Sequence, residues 1–190
     1  MNWRITAVLF VILVALGGYL YYDSQRGEET VDITEEEIAP APLVDENIKL
    51  VRDLTITTVQ ELTISRSSDS AEATYSQADD GNWAQTSPQA QAVLSTTLSS
   101  QVTGYLNLTS NRVFSSADNP LSAYGLNAPA YQIDISGGDQ RHILYVGNET
   151  PTKDGYYVQP LGDPRVFVVS KGAIDNMINL IDNPPLPPTP

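Results

Sequence analysis

An uncharged run of 18 residues, Ile5 to Tyr22, lies near the start of the chain. As a helix it would be about 27 Å long, because each residue adds about 1.5 Å. This length nearly matches the hydrocarbon core of a bilayer, which is about 30 Å thick. The run predicts a transmembrane anchor over residues 1–22, with the membrane as one partner of the chain.

The charges around this run predict its orientation. Arg4 precedes it, and Asp23 opens an acidic stretch after it. Because positive charge is retained on the cytoplasmic side, we expect a single-pass protein of the cell membrane with a cytoplasmic N-terminus and an extracytoplasmic domain. The alternative is a secretory signal cleaved after Ala15-Leu16-Gly17, which would give a secreted domain.

Residues 23–47 are predicted to form a disordered acidic linker. This stretch carries nine acidic residues against one basic residue, Arg26, and the whole chain has a net charge of −13. Like charges repel, so such a segment remains solvated and extended. At the other end, residues 183–190 form a proline-rich tail, for which we expect a stiff, disordered spacer in the polyproline II conformation.

The composition excludes several classes of function. No basic stripe is present to meet a phosphate backbone, so the chain is not expected to bind nucleic acid. The absence of cysteine excludes disulfides, zinc–thiolate sites and cysteine nucleophiles. No dinucleotide-binding glycine motif, P-loop or nucleophile elbow is present either. We therefore expect no cofactor, no metal and no catalytic residue.

Residues 48–182 are expected to form one α+β domain. Apolar and polar residues alternate near 58–66, 131–135 and 141–146, which predicts strands. Further strands are expected at 71–77, 155–161 and 165–169, where turn residues separate the segments. A helix is expected from an N-cap at Ser87 to an end at Gly104, and another after Ser170. This order predicts an antiparallel β-sheet covered on one face by two helices, with the other face left for a partner.

One segment, Asn119 to Pro129, carries the pattern L-x-x-Y-G-L-x-x-P. Asn119 is expected to cap a one-turn helix that starts at Pro120. Gly125 is expected to end it in the left-handed conformation, with Leu126 folded back on Leu121. The structural motif residues are Leu121, Tyr124, Gly125, Leu126 and Pro129.

This motif resembles a bacterial family of domains of unknown function, and the resemblance continues in order through Val146 to Pro151, Gly155 to Val158 and Val166 to Val169. Members of that family are typically membrane-anchored. Some are auxiliary components of ABC-type transport systems associated with gliding motility. The resemblance therefore implies an anchored module of a membrane complex, with a protein partner and no agreed catalytic residues.

Histidine and tyrosine supply the remaining candidates. His142 is the only histidine, and beside Arg141 and a Gly-Gly-Asp turn it is expected to be exposed and without a catalytic role. Tyrosines recur on the predicted strands, and adjacent strand positions face opposite ways, so sheet packing should take about half of them. The exposed half could stack on a glycan or anchor a protein. This candidate partner surface comprises Tyr131, Tyr145, Tyr156 and Tyr157.

These observations favour a membrane-anchored, non-catalytic binding or assembly module. The alternative is a hydrolase of cell-envelope polymers that uses aspartate or glutamate carboxylates. An enzyme of that kind requires two carboxylates about 5–10 Å apart in one pocket. The sequence contains many acidic residues but marks no such pair.

Overall fold

In a computed structural model of the chain, residues 47–110, 112–117 and 119–188 are described. The Ile5–Tyr22 run and most of the acidic linker lie outside them. Within the described residues, no helix is both long and apolar enough to cross a membrane.

The described residues form an α+β fold with an antiparallel sheet and two helices, as predicted from the sequence. The strands are β1 (Ile48–Lys49), β2 (Glu61–Arg66), β3 (Ala71–Gln77), β4 (Trp83–Ser87), β5 (Gln91–Ala92), β6 (Thr109–Ser110), β7 (Arg112–Ser115), β8 (Tyr131–Gly137), β9 (Gln140–Glu149), β10 (Gly155–Pro160) and β11 (Arg165–Ser170). The helices are α1 (Ser95–Leu106), a 3₁₀ turn (Leu121–Tyr124) and α2 (Lys171–Ile178).

The main sheet has nine strands in the order β5-β4-β3-β2-β8-β9-β10-β11-β7. Its pairings are antiparallel, and most join strands that follow each other along the chain. The exception at the centre is β2, which pairs with β8 and so joins the first hairpin to the second half of the domain. β1 pairs with β6 in a separate two-stranded ribbon.

The larger core lies between the sheet and the two helices. Alternate strand residues such as Leu62, Ile133 and Leu144 enter it together with Leu98 of α1 and Met177 of α2, and all five are fully buried. Since these strand residues point to one face, both helices cover that face. This agrees with the predicted arrangement.

The opposite face carries a second, smaller core instead of being wholly free. The chain between β7 and β8 crosses it, and Tyr124 and Leu126 pack there against Phe114, Tyr157 and Val166. Tyr124 contacts both neighbouring rings, with centroids 5.7 Å from Phe114 and 4.9 Å from Tyr157. This cover reaches one half of the sheet, over β7, β10 and β11.

The first helix begins later than predicted. Ser87 ends β4 instead of capping a helix, and Gln91–Ala92 pair with β4 before α1 starts at Ser95. The Ser95 hydroxyl accepts a hydrogen bond from the Trp83 backbone N–H at 2.9 Å. Because this extra strand takes up residues 91–92, the helical stripe is limited to Leu98, Val102, Tyr105 and Leu106. Gly104 lies inside α1, and the helix ends at Leu106.

The start of the proline-rich tail is not a detached spacer. Pro185 accepts a hydrogen bond from the Leu94 backbone N–H at 2.7 Å, immediately before α1. Pro184 and Pro185 are half-buried, whereas Leu186 is 48% exposed. The tail therefore supplies an acceptor that the first turn of α1 lacks within its own helix.

Candidate functional site

The L-x-x-Y-G-L segment forms a Schellman ending, as the sequence predicts. Gly125 has φ of 72°, in the left-handed region. The Leu126 N–H donates to the Leu121 carbonyl at 2.9 Å, and the Gly125 N–H donates to the Ser122 carbonyl at 3.1 Å. Leu121 and Leu126 both join the smaller core. One detail differs, because the turn is a 3₁₀ helix that begins at Leu121 and has Pro120 at its N-cap, without a side-chain cap from Asn119.

Two glycines allow this turn to lie directly on β9. A Cβ atom at Gly125 would overlap the side chain of Asn148 and lie 2.9 Å from its backbone nitrogen. A Cβ atom at Gly147 would overlap the carbonyl oxygen of Tyr124. Both close approaches require glycine. The physical role of the motif is thus to fix a cover over half of the second face.

The other half of that face is a polar surface formed by alternate residues of β2, β3, β8, β9 and β10. Strand register arranges these residues in rows across the sheet. We call this surface the polar sheet face; its rows are Glu72–Ser65–Gln132–Tyr145–Gln159, Thr74–Thr63–Asp134–Ile143 and Ser76–Glu61–Ser136–Arg141. In the part of the chain that the structure describes, no residue of these rows is buried.

Hydrogen bonds and one ion pair order the polar sheet face. The hydroxyl groups of Thr63 and Thr74 share a hydrogen bond at 3.1 Å. Arg141 donates to both carboxylate oxygens of Asp134, at 3.0 and 3.1 Å from its Nε. This carboxylate raises the pKa of Arg141 further above its usual range. The face therefore offers fixed polar groups in its middle, together with the exposed acidic residues Glu61 and Glu72.

The four candidate tyrosines do not form one surface. Tyr156 and Tyr157 are 7% and 8% exposed, because neighbouring residues of β10 point to opposite faces and each face carries a core. Tyr131 is half-buried on the helix side, whereas Tyr145 is half-buried on the polar sheet face. The sequence could not reveal the cover over Tyr157, since that cover comes from a segment more than thirty residues earlier.

The prediction that His142 is exposed was wrong, because its side chain is half-buried. It points to the helix side, where its Nδ1 and the buried hydroxyl of Tyr105 share a hydrogen bond at 3.2 Å. Burial lowers the pKa of His142, although the nearby Leu50 carbonyl and Asp134 act in the opposite direction. Burial also raises the pKa of Tyr105. The expectation of exposure failed because residues 50–54 fold over this end of β9.

Two carboxyl groups have pKa values unlike that of the catalytic acid of a glycosidase. Hydrogen bonds from Arg66 and from the Ala71 N–H lower the pKa of Asp69 to about 2. The hydroxyls of Thr152 and Thr150 lower the pKa of Asp154 to about 2. A catalytic acid requires a raised pKa. These two carboxyls instead stabilise turns in their ionised form.

One cavity is lined mainly by residues of loops and turns. It has a volume of about 770 Å³ at one end of the sheet, and Asp53, Asp79 and Asp80 are among its lining residues. Hydrogen bonds from Asn82 hold Asp80 and lower its pKa. Among the described residues, no group of three or more His, Asp or Glu side chains could hold a metal ion.

The profile of a family described as a domain of unknown function (DUF4340) matches residues 83–184. The chain belongs to this family. The matched segment includes the L-x-x-Y-G-L turn and the strands from β8 to β11, whereas β2 and β3 of the polar sheet face precede it. No curated protein and no solved structure matches the chain.

Proposed function

We propose that this protein is a membrane-anchored, non-catalytic binding module that docks a protein partner on the polar sheet face. The observation that carries the proposal is the division of the second face of the sheet. The L-x-x-Y-G-L turn covers one half with a small core, and the other half presents ordered polar side chains that no described segment buries.

The chemistry of this face fits a polar, reversible protein interface. Threonine, serine and glutamine side chains can donate and accept hydrogen bonds. Tyr145, half-buried at the border with the smaller core, supplies a rigid aromatic group of the kind that anchors interfaces. Glu72 begins the first row and Glu61 lies within the third, both on exposed positions, so a partner surface with basic residues would be complementary.

The uncharged run at Ile5–Tyr22 supports the anchor. The anchor would hold the domain outside the cytoplasm, and the acidic residues 23–47 would act as a spacer between the two. The family resemblance suggests that the partner belongs to a transport complex in which this protein is an auxiliary component.

A lysine placed in the centre of the polar sheet face tests the proposal. Thr63→Lys puts a long charged side chain among the rows, and Thr103→Lys makes the same change on an exposed position of α1. After extraction of native membranes with mild detergent, wild type and Thr103→Lys should retain a co-purifying partner that Thr63→Lys loses. A partner retained equally by all three proteins would contradict docking on this face.

The anchor is tested separately by fractionation. The full chain should remain with membranes in alkaline carbonate, whereas a chain without residues 1–22 should be released. Release of the full chain itself would contradict the anchor and leave the polar sheet face to be judged by the lysine variants.

A further inference from the structure

A polar groove lies on the helix side of the sheet, away from the polar sheet face. Its volume is about 340 Å³, a size typical of small-ligand sites. The walls come from the end of β2, the start of β8 and the outer surface of α2, with Asp182 just beyond that helix. Arg66 and Tyr131 are register partners on the two strands, so their side chains lie next to each other.

Arg66 is fixed in place by two carboxylates. Its guanidinium donates to Asp69 from Nε at 3.0 Å and from Nη2 at 2.8 Å. It also donates to Asp182 from Nη1 at 2.6 Å and from Nη2 at 3.0 Å. A guanidinium has five N–H donors, so these contacts engage most of them and hold the planar group in one orientation. A ligand would meet a wall that needs little reordering.

Tyr131 supplies an aromatic wall. The side chain packs against the larger core yet is only half-buried, so part of the ring faces the groove. Across from it lie the carboxamides of Asn176 on α2 and of Asn179 immediately after α2, both on exposed positions. The Asn179 Oδ1 accepts a hydrogen bond from Asn183 at 2.7 Å, which leaves its amide NH₂ to donate to a ligand. Asp175 is held at the same wall by the Tyr156 hydroxyl, which donates to it at 2.9 Å.

The charge of the groove narrows the class of ligand. Arg66 is paired with Asp69 and Asp182, and Asp175 is paired with Lys171 at 3.5 Å. A charged ligand would therefore meet side chains whose charges already have opposite partners, which favours a neutral ligand. The groove offers an aromatic ring beside planar amide and carboxylate groups. These polar groups can form hydrogen bonds with pairs of neighbouring hydroxyls of a ligand, while the ring contacts the C–H groups of the same ligand.

We propose that this groove binds a short neutral oligosaccharide, with a sugar ring stacked on Tyr131 and its hydroxyl groups bonded to Asn176, Asn179 and Asp175. This site is distinct from the polar sheet face, so it does not depend on the proposed protein docking. It gives the domain a second binding function, toward glycans of the compartment that it faces.

Titration calorimetry of the full chain tests the proposal. The chain is purified in a detergent without a sugar headgroup, such as lauryldimethylamine oxide, so that the detergent cannot compete. The probes are maltotriose, cellotriose and triacetylchitotriose. At least one should bind saturably, and Tyr131→Ala should weaken that affinity about tenfold, which corresponds to about 1.4 kcal/mol.

Two further variants keep the test independent of folding. Asn176→Ala changes an exposed position of α2, so it should weaken sugar binding with an unchanged melting temperature. Tyr145→Ala removes the other half-buried candidate tyrosine, on the opposite face, and should bind as wild type does. Absence of saturable binding to all three sugars would overturn the proposal. So would wild-type affinity in Asn176→Ala, an equal loss in Tyr145→Ala, or competition for the groove by the cation spermidine.

Discussion

At the scale of single residues, Gly125 illustrates how two constraints can fall on one position. Its backbone is left-handed, and its α-carbon faces Asn148 across a close contact. Gly138 shares the left-handed backbone, with φ of 59°, but a Cβ atom there would meet nothing within 4 Å. The pair therefore separates backbone strain from steric overlap.

We expect Gly138→Val to lower the free energy of unfolding by about 1–2 kcal/mol, the cost of a side chain in left-handed backbone. Gly125→Val should lower the free energy of unfolding by that amount and by roughly 1–3 kcal/mol more, because the valine side chain overlaps β9. Urea titration followed by circular dichroism measures both variants. Equal losses would show that the contact with Asn148 does not constrain this turn.

His142 predicts a dependence of stability on pH. Burial beside Tyr105 lowers its pKa in the folded protein below the usual 6.5, and the Leu50 carbonyl offsets only part of this effect. The unfolded chain therefore takes up a proton first as the pH falls. Its contribution to stability is complete above about pH 6.5 and is lost as the pH decreases from there toward the lowered folded pKa.

Melting temperatures between pH 7.5 and pH 5 check this prediction. The wild type should lose stability over that interval, and His142→Gln should show a flatter profile with a lower stability at pH 7.5. The carboxyls of Asp69 and Asp154 titrate at lower pH, since the folded pKa of each is about 2, so their effect lies below this window. An identical pH profile in both proteins would remove His142 as the cause.

At the scale of elements, the proline-rich tail contributes to the helical layer. The Leu94–Pro185 hydrogen bond joins the residue immediately before α1 to the C-terminal tail. A chain truncated after Asp182 should lose about 0.5–1.5 kcal/mol, the net value of one hydrogen bond, together with the packing of Pro184.

Thermal unfolding of the truncated chain checks this contribution. Leu186→Ala is the matched control, because Leu186 is 48% exposed and lies beyond the hydrogen bond. The control should melt as wild type does. If the truncated chain also melts at the wild-type temperature, the tail does not stabilise the domain and acts only as a spacer.

The strands β2, β3 and β8 to β11, together with α2, could be predicted from the sequence because their signals are local. Alternation at Tyr131, Ile133 and Ile135 matches β8, and the predicted strand at 71–77 matches β3. The start of α1 could not be read, because the Gln91–Ala92 strand is created by pairing with β4 and not by its own pattern. Local signals describe single elements, whereas these errors concern contacts between elements.

The candidate site likewise combines features that local sequence predicts with features that depend on contacts between distant elements. The left-handed Gly125 and the return of Leu126 to Leu121 were predictable, because both are contained within six residues. The burial of Tyr157 and His142 was not, because it depends on Tyr124 and on residues 50–54, which are distant along the chain. The groove between Arg66, Tyr131 and α2 is also assembled only by the fold.

At the scale of the whole molecule, the family to which the chain belongs is described as a domain of unknown function. The function is therefore inferred from the surfaces that the fold creates. The main sheet has helices on one face and a half-covered second face. On the covered half, the L-x-x-Y-G-L segment lies in direct contact with Gly147 and Asn148. This contact explains why the chain carries these residues together. The uncovered half is the surface that the account assigns to a partner.

Site-specific photo-crosslinking in native membranes tests this assignment most directly. A benzoylphenylalanine is placed at Ser65 or Gln132, which are register partners on the polar sheet face, and at Thr103 on α1 as the control. Ser65 and Gln132 are expected to give the same discrete adduct with another protein, and Thr103 is expected to give none. An adduct only from Thr103, or none from the two face positions, would contradict docking on the polar sheet face.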